Sequence, residues 1–249
     1  MKKLLLIFAL TLTANAQTDP SNGIWDHLLA THYDPARGMS YAALKGSDSA
    51  VLQQLRQQLA RTNPDVLTPK QRLAYWINVY NVNTVATIVE SYPLKSIRDL
   101  STDPIVRLNV FKKDRVPVFG GGTISLDDVE NVKIRNAFHD PRIHFAINCA
   151  AKSCPPMRAE AFTGAKVDAQ LDDQVRRFVN SSFVRFSPSG DKLVIHTSKI
   201  MDWFADDFGD RAAFIRRYAT PDKQRLIDQA RKIELEFDDY DWSLNDAKR

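Results

Sequence analysis

Hydrophobic positions along this chain mostly recur with helical period, and one long block breaks that rule by being apolar on nearly every side. Leu73, Trp76, Ile77, Val79, Tyr80, Val82, Val85, Ile88 and Val89 leave no solvent face. A helix of that kind is buried all round. Its start is marked by Thr68-Pro69-Lys70-Gln71, a Thr-x-x-Gln capping box with proline at the first helical position. Its end is set by Tyr92-Pro93, which predicts a helix from Pro69 to about Ser91. Asn78 and Asn81 lie three apart within it, on one face. An unpaired buried amide costs roughly 1–3 kcal/mol, so both need partners. Neighbouring backbone is the ordinary partner, and a polar cleft beside His144 is the sharper alternative.

The other periodic blocks are amphipathic. Asn22–His32 reads as a helix with Trp25, Leu28 and Leu29 inward, and Ser47 as the cap of a second helix to Arg61 along Leu52, Leu55 and Leu59. Residues 105–126 read as β structure, with Gly120-Gly121-Gly122 turning a hairpin. Ser125-Leu126-Asp127-Asp128 caps a helix to Phe138. A helix over Val167–Asn180 places Leu171, Val175 and Phe178 inward. Phe183–Phe186 and Leu193–His196 form a hairpin around Ser187-Pro188-Ser189-Gly190. Ser198 opens a helix holding Trp203, Phe204 and Phe208 as core, and Gly209 closes it. Two more helices precede an alternating strand, Ile233–Phe237.

Between these blocks runs Arg142–Pro156, which holds both cysteines and His144. Its first half alternates, with Ile143, Phe145, Ile147 and Cys149 on one face and Arg142, His144, Ala146 and Asn148 on the other. That pattern predicts a strand. Pro155-Pro156 removes two ladder donors, so the strand runs into a loop carrying a thiol. No linker or repeat divides the chain, and helices and strands come in blocks without a βαβ rhythm. The expectation is one α+β domain over 17–249, its antiparallel or mixed sheet packed on the buried central helix.

Composition adds the compartment. Lys2-Lys3, the short apolar run Leu4–Leu12 and Ala14-Asn15-Ala16 form a secretory signal over residues 1–16. Gln17 follows the expected cut, so a lipidated cysteine is not indicated, and the apolar run is too short to span a bilayer. The signal carries two of the 34 Lys+Arg and none of the 30 Asp+Glu, which leaves the mature chain near +2. That near-balance argues against a nucleic-acid or anionic-membrane partner. A periplasmic or secreted protein without an integral membrane segment follows.

Taken together, Ala74–Asn81, Tyr92–Ile97, Ser125–Glu130, Asp140–Ala150 with Ser153–Pro156, Lys199-Ile200, Trp203, Asp207-Phe208 and Tyr240–Asn245 resemble the exported bacterial branch of the domain of unknown function 547 family. The resemblance implies a papain- or transglutaminase-like core and a candidate set of Cys149, His144 and Glu130. The family often has histidine after its helix glutamate, where this chain has Asn131.

A thiol hydrolase needs a cysteine whose thiolate is favoured, a histidine and a group that orients it. Cys149 or Cys154, His144 and Glu130 supply those types, with Asn78, Asn81 and Arg142 as candidate substrate contacts. Arg142 has a commoner fate in a salt bridge to Asp127, Asp128 or Glu130. A regular strand puts His144 and Cys149 on opposite faces, roughly 16 Å apart at about 3.3 Å per residue. The chain must therefore end or bulge its strand before Cys149, or fold Cys154 back. The rival is a Cys149–Cys154 disulfide in a non-catalytic binding or scaffold protein, and compartment leaves bridge and free thiols evenly matched. A zinc site from His144, Cys149, Cys154 and His139 has the wrong spacing, and no cofactor is implied. His27, His32 and His196 read as isolated, solvated or partly buried side chains. Asp241-Trp242 reads as pinning the C-terminus to the core. A peptide-like or cell-envelope ligand is expected from compartment alone.

Overall fold

In the computed structural model, which describes residues 20–101 and 109–247, the polypeptide is organised around helix Pro69–Ser91. The signal reading lies outside the described residues, as does the start of the expected β block at 105–108. Four helices build the first half: α1 (Pro20–His32), α2 (Tyr41–Ser47), α3 (Ser49–Arg61) and α4 (Pro69–Ser91). The capping box forms as expected, with Gln71 N–H donating to Thr68 Oγ1 and Thr68 N–H to the Gln71 side chain. Every residue from Leu73 to Val89 is buried. Ser47 does not cap α3; it ends α2, and Asp48 separates the two helices.

After α4 the chain makes short 3₁₀ turns at Ile97–Leu100 and Asn109–Lys112. A small hairpin follows, Val116–Pro117 with Thr123–Ile124, turned by Gly120 and Gly121 at φ +92° and +87°. These are left-handed values that glycine adopts at little steric cost. The next helix, α5, is continuous but not regular. Turns Leu126–Asp128 and Asn136–Phe138 are α-helical, and Val129–Arg135 between them is a π-helix. Its cap is the Ser125/Asp128 capping box, made with aspartate in the reciprocal role.

The expected strand over Arg142–Cys149 is absent. Pro141–Phe145 is a 3₁₀ turn, capped by the Asp140 side chain on Arg142 N–H, and no ladder follows. Alternation failed as a guide because both sets of side chains are buried. Ile143, Phe145 and Ile147 face apolar core, and His144, Ala146 and Asn148 are equally enclosed.

A second apolar cluster holds the rest: α6 (Val167–Val179), strands β1 (Arg185–Ser189), β2 (Lys192–Ser198) and β3 (Lys232–Asp238), and the short helices between them. The sheet is mixed, β1 antiparallel and β3 parallel to β2. The hairpin turns at Gly190-Asp191 rather than at the proline before it, since Ser189 pairs with Lys192. Helices Ile200–Trp203 and Ala205–Phe208 occupy the predicted segment, and Gly209 follows at φ +59°. Beyond β3, the C-terminal segment crosses back to the first half, where Leu244 bridges Ala151 and Asp246 bridges Met39. Gly38 lies so close beneath it that a Cβ would stand 2.0 Å from the Asn245 carbonyl oxygen. Among the described residues no helix is long and apolar enough to cross a membrane.

Candidate active site

The π-helical stretch, the 3₁₀ turn, the thiol loop and the C-terminal segment converge on one cavity of about 200 Å³. π-Helical stretches are frequent at functional sites. Here the stretch carries Glu130 and Asn131 to the cavity wall. His144, Cys149, Cys154 and Tyr80 line the same cavity, as do Trp203, Tyr240 and Trp242.

His144 is buried in the 3₁₀ turn, its ring stacked on Phe204 at 4.0 Å and tilted against Phe208 at 5.5 Å. Its Nε2 lies 2.7 Å from Asp207 Oδ2. Asp207 also receives Arg135 Nε at 2.5 Å and Nη2 at 2.9 Å. Burial pushes the Asp207 carboxyl up, and the hydrogen bonds from Arg135 and His144 outweigh it, so the net shift is downward. An ionised Asp207 fixes the proton on Nε2 and leaves Nδ1 as the basic nitrogen. Burial lowers the imidazole to about 4, with Asp207 only partly opposing, so the resting ring is neutral.

Cys149 sits on a loop braced from several sides. Asn148 holds the loop by donating Nδ2 to Pro155 O at 2.8 Å and accepting Ala150 N–H at 2.8 Å. Ala150 itself takes φ +63°, a left-handed conformation that costs an alanine roughly 1–2 kcal/mol. Strain of this kind clusters where a side chain must be presented. Both cysteines are free thiols. Cys149 N–H donates to Cys154 Sγ at 2.9 Å, and Tyr240 Oη is 3.2 Å from Cys149 Sγ. Burial pushes the Cys149 thiol up, but hydrogen bonds from Cys154, Tyr240 and the Ala151 N–H outweigh it and lower the thiol overall. Burial raises Cys154 strongly, and Tyr240 likewise stays a protonated donor.

Glu130 is in the cavity, but it is not the histidine's orienting partner. Burial lifts its carboxyl to about 7, against a hydrogen bond from Tyr80. Asp207 orients the ring instead, from 63 residues downstream. No hydrogen bond joins the imidazole to either sulfur, although all three line the same space.

The other expected contacts lie elsewhere. Asn78 brackets the Phe162 backbone, donating to its carbonyl at 2.8 Å and accepting its N–H at 3.0 Å. Asn81 donates to Ala146 O and accepts Asn148 N–H, both at 2.9 Å. Neither lines the cavity, so their ordinary reading is what the structure shows. Arg142 is held by Asp140, Asp168 and Asp172, not by Asp127, Asp128 or Glu130. His32 is buried rather than solvated, its Nε2 2.7 Å from Asp48 Oδ2. Trp203, expected in the core, is 48% exposed, tilted against Tyr240 at 4.8 Å and stacked with Trp242 at 6.0 Å. Asp241 and Trp242 do pin the C-terminal segment, the former through Asp241 N–H to Ser153 Oγ at 2.8 Å. Among the described residues, no three His, Cys, Asp or Glu side chains are grouped to hold a metal ion.

Residues 64–179 match the family described as Protein of unknown function, DUF547. Searches found no match among curated proteins or solved structures. The DUF547 match contains α4, Glu130, His144 and both cysteines. It stops before Trp203, Asp207, Tyr240 and Trp242, so one wall of the cavity and the histidine's carboxylate lie outside it. Asp207-Phe208 and Tyr240-Asp241-Trp242 were visible as sequence features, but nothing in their local pattern placed them at a thiol.

Proposed function

We propose that this DUF547-matching chain is an exported thiol-dependent enzyme that hydrolyses amides or transfers their acyl groups. One observation carries the reading. A free thiol held by hydrogen bonds that favour its thiolate opens onto the same cavity as a histidine whose ring a carboxylate fixes. In the resting site the thiol and imidazole do not touch. Catalytic hydrogen bonds are often long before substrate arrives and tighten in the complex.

In this reading Nδ1 of His144 takes the thiol proton and Cys149 sulfur attacks the carbonyl carbon. The C–N bond then breaks, and the imidazolium returns the proton to the leaving amine. Asp207 is a positioning residue that keeps Nδ1 aimed as base. The Tyr240 hydroxyl supplies a hydrogen bond to the thiolate as it forms. Glu130 supplies a second carboxyl whose ionisation falls near neutrality. Water or an amine would then release the acyl group from sulfur.

Incubation with p-nitrophenyl acetate, followed by intact and peptide mass measurement, tests this. An acetyl adduct on Cys149 is expected, formed faster than on the urea-unfolded chain and lost in Cys149→Ala. An equal rate in the unfolded chain would sink the reading. The rival, a non-catalytic binding protein with a Cys149–Cys154 bridge, predicts no reactive thiol even after unfolding without reductant. Export is tested by N-terminal sequencing of the protein from a periplasmic fraction, which should begin at Gln17.

A further inference from the structure

Glu130 is a puzzle for a thiol site, because a nearby carboxylate disfavours a thiolate and is felt at Cys149 as an opposing charge. Asp127, one helical turn earlier, lines the same cavity and adds to the repulsion on Glu130. Carboxylates elsewhere in the molecule are commonly matched by cations. Asp48, Asp140, Asp168, Asp173, Asp207, Asp228 and Asp238 each have an Arg, Lys or His partner. Neither Asp127 nor Glu130 forms an ion pair among the described residues; Arg135, paired with Asp207, acts on Glu130 only at longer range, and no described Lys or Arg lines the cavity, whose one basic side chain is the neutral His144.

Much of the remaining lining is aromatic. Trp203, Tyr240 and Trp242 pack mutually at 4.7–6.0 Å, and Trp203 remains half exposed. Phe111 extends this wall beside Trp242 at 6.3 Å. Electron-rich ring faces and two carboxyl groups without an ion-pair partner, lining one cavity, form an environment that attracts a cation and repels an anion. A bound cation would also offset the cost that Glu130 imposes on the neighbouring thiolate.

We infer that the cavity selects substrates carrying an alkylammonium group, held by Asp127 and Glu130 against the Trp203–Tyr240–Trp242 wall while the acyl carbon meets Cys149. The inference rests on the thiol-acylation reading for its chemistry but makes a separate statement about ligand charge. A primary amine at the end of a short alkyl chain fits this description, as on a lysine-like side chain. A carboxylate of the same length does not.

Acylation of Cys149 by three p-nitrophenyl esters of matched length tests it: 6-aminohexanoate, hexanoate and the adipate monoester. The cationic ester should react about tenfold faster than the neutral one and the anionic ester slowest, a bias of the size partly buried charge pairs provide. In Asp127→Asn/Glu130→Gln the cationic and neutral esters should converge. Asp127→Asn alone, on a half-buried first-turn residue, should narrow the gap if the double variant does not fold. A neutral ester that reacts fastest, or a bias that survives in a folded variant, overturns the inference.

A second measurement separates its failure from failure of the thiol reading. Pentylammonium chloride should shift the tryptophan fluorescence saturably and pentanoate should not, whether or not Cys149 acylates. A cation shift without acylation would remove the thiol chemistry and leave the charge preference standing. Acylation without any cation shift or ester bias would do the reverse.

Discussion

Asn81 and His144 are each 3% exposed, yet their polar atoms are used in opposite ways. Asn81 spends both ends of its amide on backbone, Ala146 O and Asn148 N–H, and does not line the cavity of about 200 Å³. His144 gives Nε2 to Asp207, and its ring lines the cavity. A buried polar group satisfied at both ends is a bracket. One satisfied on a single side, beside an open space, is available for chemistry. The two are coupled here, because the Asn81 bracket grips the backbone at Asn148, immediately before the thiol.

The largest break in this comparison should come from Asn81→Ala. It orphans a buried carbonyl and a buried N–H together, at about 3 kcal/mol of stability. Urea unfolding followed by circular dichroism measures it, and a loss below about 1 kcal/mol would mean that water replaces the amide. Asp207→Asn should leave the fold intact but release the ring's tautomer, slowing acetylation of Cys149 about a hundredfold. An unchanged rate would reduce His144 to a core residue.

Smaller in size is the pH dependence. His144 is lowered to about 4 in the fold, so between about 6.5 and 4 the unfolded chain binds more protons and stability falls with pH. The full effect is on the order of 3 kcal/mol, and the opposing Glu130 slope reduces it in the native protein. Glu130 is raised to about 7, so between 4.5 and 7 the folded chain holds the extra proton and stability falls as pH rises. The two slopes oppose one another in the native protein. Glu130→Gln should remove the second and expose the first, seen as urea midpoints that climb from pH 4 to 6.5. A flat profile in that variant would mean that His144 is not held neutral.

The smallest effect discriminates the two sulfurs. Iodoacetamide at pH 7 should label Cys149 at least about tenfold faster than Cys154, since thiolate content sets the rate. Burial holds Cys154 protonated, whereas the hydrogen bonds at Cys149 favour its thiolate. Tryptic peptides quantified by mass resolve the pair. Equal labelling would show that loop motion exposes both.

Local physical rules reached α4 almost to the residue, because a capping box and a proline stop are written within a few positions of the helix they bound. They also reached the glycine-turned hairpin, the Ser125 cap and strand β3, each a contiguous pattern. They misread Arg142–Cys149 because alternation indicates a strand only when one face is solvated or the segment joins a sheet. Here both faces are buried by helices, and a proline with an aspartate cap turns the backbone into a 3₁₀ coil. The histidine's carboxylate was misassigned for a related reason. Glu130 was near in sequence and did reach the cavity, but the ring turned to Asp207.

By itself, then, the sequence determined which segments are helical and buried, because helix period and capping are local free energies decided within one or two turns. It also determined which side chains could do chemistry, since thiol, imidazole and carboxyl are properties of the residues. Only the tertiary structure decided which of them meet. His144 with Asp207, Cys149 with Tyr240, and a tryptophan wall drawn from both ends of the second core are pairings between remote segments. Their cost in chain entropy is offset by the packing of the whole domain, and no short window of residues carries that sum.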